Sequence, residues 1–159
     1  MPGKGVLAND AWEALLSAHA VLMKRLAAED IWAELSMREY DVLYTLSKCP
    51  EPVRLSELNR HVLLSQPALS RLVDRLAERG LVARQADPAD GRGVLLSLTG
   101  AGRGLQRQVG RPHARSVAHA LTAGLSRSEL EQLEIICRKL AREPVATLAA
   151  TYNNEDMRS

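Results

Sequence analysis

The chain contains no phenylalanine, and aromatic residues make up 3% of its 159 positions. A core must therefore be built from leucine, alanine, valine and isoleucine, and abundant Leu and Ala favour helix. Cysteine is nearly absent. Cys49 and Cys137 form no CxxC pair, which excludes a disulfide framework and fits a reducing compartment. Cys49 precedes Pro50 at a helix end and Cys137 falls in an apolar-patterned helix, so both are expected to be inert. No apolar run reaches the roughly 20 residues of a membrane span. Met1-Pro2-Gly3-Lys4-Gly5 opens a polar amphipathic segment rather than a signal-peptide core, so a cytoplasmic location is expected, without membrane attachment.

Catalytic signatures are missing too. The chain has no GxSxG, no HExxH and no Cys/His nucleophile pattern, so no enzyme activity is expected. Gly100-x-Gly102-x-Gly104 lacks the GxGxxG spacing and the surrounding βαβ unit of a nucleotide site. His113 and His119 stand six apart, off one helical face, and His19 and His61 are isolated in sequence. No cofactor and no metal are expected. Net charge is only +2, so charge alone announces no polyanionic partner, but its distribution is uneven. Between Arg54 and Arg103 eight arginines face five carboxylates, and no lysine occurs there. Arginine suits phosphate and guanine because its planar fork donates paired hydrogen bonds.

What is present is a succession of helix signals. Trp12, Leu15, Leu16, His19, Leu22, Met23 and Leu26 mark one face of a helix over residues 8–28. Ser36-Met37-Arg38-Glu39 is a capping box, with Leu35 and Tyr40 as its hydrophobic staple, and the helix it opens must stop by Cys49-Pro50. Ser56 is read as the cap of a short helix over 57–62, and Leu63-Leu64 as a turn with apolar contacts. Ser65 caps the next helix and Pro67 sits in its first turn, where the missing N–H costs little. Leu69, Leu72, Val73 and Leu76 form its buried face, and Gly80 is its left-handed stop.

Residues 81–84 and 94–98 read as strands, with the turn-forming, charged stretch 86–93 as the hairpin tip between them. Gly100, Gly102, Gly104 and Gly110 weaken the following helix and Pro112 should bend it. Ser126-Arg127-Ser128-Glu129 is a second capping box, stapled by Leu125 and Leu130, and opens a last helix to about residue 148 before a disordered tail from 153.

Helix, turn, helix and hairpin in that order describe a winged helix-turn-helix. The recognition helix buries its leucine face. It turns Gln66, Pro67, Ser70, Arg71, Asp74, Arg75 and Glu78 outward or to its flanks. Gln66 can pair with adenine and Arg71 with guanine, while Ser65, Ser70 and Arg75 suit phosphates or mixed contacts. Asp74 and Glu78 would repel DNA deep in the groove, so pairing with Arg71 or Arg75 is expected. Arg92 near the hairpin tip can enter a narrow minor groove, where the negative potential is enhanced.

The stretch from Leu69 to Arg84, continued by Asp87-Pro88-Ala89-Asp90-Gly91-Arg92, Val94 to Thr99 and Gly102, resembles the core of MarR-type transcriptional regulators. Motif-level similarity covers about residues 55–104. The resemblance implies a mainly α chain with a small β-hairpin wing, one domain over 1–159. Its winged helix-turn-helix would span 36–99, with dimerisation helices over 8–30 and 100–150. It implies a triangular homodimer, Arg92 in the minor groove with Asp90 orienting it, and a small-molecule pocket between dimer region and winged region. The glycine-rich opening 99–104 of the fifth helix departs from the family pattern and predicts a loosened joint there.

The implied partners are duplex DNA, a second copy and a small effector such as an aromatic acid. His19, Tyr40 and Tyr44 are the candidate effector residues, although two tyrosines on one helical face equally suit an ordinary core with wet hydroxyls. Apolar stripes on terminal helices argue for a dimer on physical grounds as well. Two-fold symmetry then predicts a pseudo-palindromic site with half-sites about 10 bp apart. The expected function is sequence-specific, ligand-responsive repression. The alternative is a winged-helix adaptor that binds protein and not DNA.

Overall fold

The computed structural model describes residues 1 and 3–141. In chain order the elements are α1 (Lys4–Ala27), α2 (Met37–Ser47), β1 (Val53–Arg54), α3 (Leu55–Leu58), α4 (Gln66–Glu78), β2 (Val82–Asp87), β3 (Asp90–Leu98), α5 (Gly100–Thr122) and α6 (Arg127–Ala141). The described residues divide into two compact units, one up to Val117 and the other from Ala118. The expected final turn of the last helix and the tail from 153 lie outside the described residues.

In the first unit, α2 to β3 enclose a leucine-rich core. Leu35, Val42, Leu43, Leu58, Leu69, Val73, Leu76 and Leu96 are essentially inaccessible to solvent. Burying one such side chain is worth roughly 1.5–3 kcal/mol, so aliphatics replace the missing phenylalanine without loss of driving force. The capping box forms as the sequence predicts: Glu39 N–H donates to Ser36 Oγ at 3.2 Å, and Ser36 N–H to Glu39 Oε2 at 2.8 Å. Ser65 Oγ likewise accepts from Ala68 N–H at 3.3 Å, with Pro67 in the first turn.

Several boundaries differ from the sequence reading. α1 starts at Lys4, not near residue 8, because extended Gly3 supplies the first acceptor and nothing between them breaks the helix. α3 begins at Leu55, so Ser56 lies inside it and is not its cap; Glu57 Oε2 instead accepts the Arg54 N–H at 3.1 Å. α3 ends at Leu58, well short of 62. Leu63 is fully exposed, and only Leu64 of that turn packs on the core.

The hairpin strands run further than expected, to Asp87 and from Asp90, leaving a tight turn at Pro88-Ala89. β3 is central in a three-stranded antiparallel sheet of order β1-β3-β2. The two-residue β1, with Val53 opposite Leu96 and Arg54 opposite Leu95, is too short to show a period-2 pattern in sequence.

The loosened joint expected at 99–104 is instead tightly made. α4 ends on Gly80 (φ +70°), with Leu81 N–H bonding the Leu76 carbonyl and Gly80 N–H the Ala77 carbonyl, both at 2.9 Å. The Leu81 carbonyl then accepts Thr99 N–H at 3.2 Å and the Thr99 hydroxyl at 3.1 Å. That hydroxyl also reaches the Gly80 carbonyl at 2.7 Å and caps α5 by accepting Gly102 N–H at 2.9 Å. A Cβ on Gly102 would lie 2.0 Å from the Leu81 carbonyl oxygen. This glycine permits a backbone-on-backbone contact and does not loosen it. Pro112 is accommodated within α5, which continues through it.

The second unit comprises the end of α5, a turn and α6. Its capping box is complete, with Ser126 N–H donating to Glu129 Oε2 at 2.8 Å and Glu129 N–H to Ser126 Oγ at 3.4 Å. α6 has no buried residue, and Leu133, Ile135, Ile136 and Leu140 are exposed along it.

Gly102→Ala should destabilise the chain by about 2–3 kcal/mol, the range of a clash in a packed interior. Gly104→Ala, with open space around its Cα, should be neutral or stabilising by up to about 1 kcal/mol. Urea unfolding of the two variants checks this; equal effects would mean that the contact with Leu81 is not tight.

Candidate nucleic-acid interface

α4 docks by Leu69, Leu72, Val73 and Leu76 and turns its other face to solvent. There Gln66, Pro67, Arg71 and Arg75 are exposed, with Ser65 at the N-cap also exposed and Ser70 half-buried on the flank. Backbone N–H groups at this terminus carry the positive end of the helix dipole, which favours a phosphate.

The acid on this face is dealt with differently from the sequence expectation. Asp74 pairs with neither Arg71 nor Arg75; its Oδ1 meets Arg84 Nη2 of β2 at 2.5 Å. Strand β2 starts directly after the Gly80 turn, which brings Arg84 alongside α4, a proximity that helical spacing alone does not reveal. Asp74 is thereby neutralised from the wing side. Among the described residues no ion pair engages Arg71, Arg75 or Arg92. These three cations remain available for an external anion.

The wing owes its shape to the carboxylate of Asp87, which in sequence stands among turn formers. Asp87 is 6% exposed. Its Oδ1 accepts Ala89 N–H at 2.9 Å, and its Oδ2 accepts Arg54 Nε–H at 2.8 Å and also pairs with Arg54 Nη2. The Ala89 N–H, then Arg54, hold the Asp87 carboxyl below its ordinary range. The same contacts raise Arg54 further above its ordinary value, chiefly through the hydrogen bond to Asp87. The pair ties the turn to β1, thirty-three residues away in sequence, a separation at which no local pattern could reveal it.

Gly93 completes the turn, since a Cβ there would lie 3.0 Å from that of Asp87. Asp90 accepts the backbone N–H of Arg92 at 3.2 Å. The bond shapes the strand start and leaves the exposed guanidinium unrestrained by that carboxylate.

The candidate effector residues come together only in part. Tyr40 is buried and Tyr44 half-buried, and their rings stack with centroids 5.8 Å apart and planes at 19°. His19, in contrast, is exposed on α1. The histidine packed against the tyrosines is His113 of α5, edge-on to Tyr40 at 5.2 Å and to Trp32 at 5.1 Å. Trp32 Nε1 donates to the Leu26 carbonyl at 2.7 Å, anchoring the cluster to the end of α1. Gly110 makes room for the Tyr40 hydroxyl, which would lie 3.0 Å from an added Cβ. His113 Nδ1 is buried and has no hydrogen-bond partner among the described residues. Burial pushes the imidazole below its ordinary range, with the Glu29 charge opposing.

The sequence model of the MarR family matches residues 34–93, from the loop before α2 to the outgoing wing strand. The multiple antibiotic resistance protein MarR of Escherichia coli is 29% identical over 107 residues, covering 67% of this chain and 74% of that protein. The fold superposes on Sco3205, a MarR family transcriptional regulator from Streptomyces coelicolor solved in complex with DNA. The TM-score is 0.72 and identity 26%, over 86% of this chain and 88% of the other. Residues 34–93 and the fold as a whole are similar to MarR family regulators.

The similarity is carried by a mainly helical chain with a small three-stranded wing. PcaV, a transcriptional regulator from Streptomyces coelicolor solved with its natural ligand, is 29% identical over 88% of this chain and 92% of its own, with a TM-score of 0.62. Among the described residues no helix is long and apolar enough to cross a membrane.

His113 gives a pH signature. Its folded-state pKa lies below the unfolded value near 6.5, so the unfolded chain binds more protons between the two. Its stabilising contribution is therefore full above about pH 6.5 and is lost as pH falls toward the folded value. The urea midpoint should drop between pH 7.5 and 5.5, and drop less in His113→Phe. Parallel midpoints in the two proteins would show that this ring does not govern the response.

Proposed function

We propose that this chain is a sequence-specific transcriptional regulator that binds duplex DNA as a homodimer and releases it on binding a small effector. The observation that carries the reading is the charge arrangement of α4 and the wing. Asp74 is neutralised by Arg84 while, among the described residues, no ion pair engages Arg71, Arg75 or Arg92. A solvated helix face would gain nothing from that asymmetry, whereas a groove-reading face needs its acids cancelled and its arginines free.

In this reading Gln66 and Arg71 read base edges in the major groove. Ser65, Pro67, Ser70 and Arg75 approach the phosphates at the α4 N-terminus. Arg92 enters the minor groove on a turn fixed by Asp87 and Asp90. Sco3205, solved with DNA, supports the partner. The protein then acts in the cytoplasm, as a binding module and not as an enzyme.

Homodimerisation is supported by exposed apolar residues on both terminal helices, among them Trp12, Leu16 and Val21 on α1 and Ile135, Ile136 and Leu140 on α6. We assign the dimer-forming role to residues 8–30 and 100–150 and the DNA-reading role to 36–99. For the effector, the Trp32–Tyr40–Tyr44–His113 cluster offers stacking surface and a buried ring nitrogen, which suits a small aromatic acid. PcaV, solved with a natural ligand, supports ligand response. Repression follows if the effector favours a geometry in which the two recognition helices no longer match successive grooves.

Selection from random duplexes should enrich a pseudo-palindrome with half-sites about 10 bp apart. Arg92→Ala should weaken operator binding at least about tenfold and lower the salt slope by about one, with the dimer intact. Arg71→Ala should cost about 1–3 kcal/mol and relax preference at one base position. A chain that enriches no palindrome would sink the DNA-binding reading and favour a protein-binding adaptor.

A further inference from the structure

Arg103, Arg107, Arg111 and Arg115 recur every fourth residue along α5, and all four are exposed. The helical rise sets neighbours about 6 Å apart along the axis and the row about 18 Å long. Like charges at this spacing repel and weaken a helix. Among the described residues the ion pairs engage Arg54, Arg79, Arg84, Arg127 and Arg138, and none reaches this row.

The adjacent row of α5 is Gly104, Gln108 and Pro112. Glycine has no side chain and that of proline is short. Gln108 is committed elsewhere, donating through Nε2 to Glu34 Oε1 at 3.1 Å. Beside the arginines this leaves an open hollow of about 580 Å³, lined by Gly104, Arg107, Gln108, Arg111, Pro112 and Arg115, with no carboxylate in the lining. It lies on a different face of α5 from Val109, Gly110 and His113, which pack toward the core and the aromatic cluster.

We infer that this face of α5 is a binding site for a small polyanion carrying two or more phosphate or carboxylate groups about 6 Å apart, each taken by one guanidinium fork. A single anionic group would satisfy one arginine and leave the others repelling. A duplex is too broad to enter the hollow and would touch only the arginine tips, so a compact molecule fits better. The planar fork of arginine matches both carboxylate and phosphate oxygens with paired hydrogen bonds. The site does not depend on the DNA-binding reading.

Titration calorimetry of the full chain with inorganic tripolyphosphate, citrate and orthophosphate tests it. Tripolyphosphate, citrate or both should bind at least about tenfold more tightly than orthophosphate, as linked groups engage successive arginines. Which of the two binds identifies the anion class. The double variant R107Q/R111Q should lose at least about tenfold in that affinity, while R127Q/R138Q, which removes the same charge from α6, should lose little. R107Q/R111Q removes a repulsion, so its unbound melting temperature should equal or exceed that of the wild type, which separates loss of binding from misfolding.

Equal polyanion affinity in the two double variants, or none in the wild type, would overturn the inference. A fall of about two in the salt slope of duplex binding would reassign the row to DNA. A tenfold change in the dimer dissociation constant would reassign it to acids of a second copy.

Discussion

The carbonyl of Leu81 is the point on which the first unit turns. It accepts the N–H and the hydroxyl of Thr99 and lies against the bare Cα of Gly102. One residue earlier, Gly80 in its left-handed conformation has just ended α4. A single peptide group thus joins the end of the recognition helix, the start of the first wing strand, the exit of the second and the first turn of α5. Any tilt of α4 relative to the wing must strain these bonds together. Interiors of this density resist such shifts, so helix and wing present themselves to a partner as one rigid surface.

On that scaffold, electrostatics decides what the surface can meet. Two of its acids are taken up internally, Asp74 by Arg84 and Asp87 by Arg54. Each pairing crosses between elements, from helix to strand in one case and from wing turn to β1 in the other. Exposed ion pairs of the first kind contribute little to stability. Their consequence lies in the field: removing the negative charge from an arginine-bearing face raises the potential that a phosphate chain would see. The modest net charge of the chain therefore understates its basic surface.

Much of this was readable from sequence because it is local. The boxes at Ser36 and Ser126, the cap at Ser65, the four apolar positions of α4 and the stop at Gly80 each depend on residues within one or two turns of each other, and all five form as read. What escaped depends on residues far apart. β1 exists only because Val53 and Arg54 find Leu96 and Leu95. The Arg54–Asp87 pair needs the whole sheet assembled first. Gly102 was misread for the same reason: by propensity a glycine near a helix start is a weakness, and only the approach of Leu81 turns it into a requirement. The histidine beside the tyrosines lay beyond sequence reach for the same reason: His113 meets Tyr40 from another helix, about seventy residues away.

The helices α1 and α6 remain largely uncovered. α6 buries none of its side chains, and α1 buries Leu26 alone, although both display the apolar periodicity of packed helices. A helix gains most of its stability from burying such a face, and isolated helices of this length are marginal in water. Among the described residues little packs behind the exposed apolar side chains of either helix, and such faces suit a partner surface. A second copy offers the same faces related by a two-fold axis, which is the simplest way to cover both. In the proposed homodimer, contacts covering these faces would also set the separation of the two α4 helices, so selectivity for an operator would reside as much in these leucines and isoleucines as in the arginines proposed to touch it.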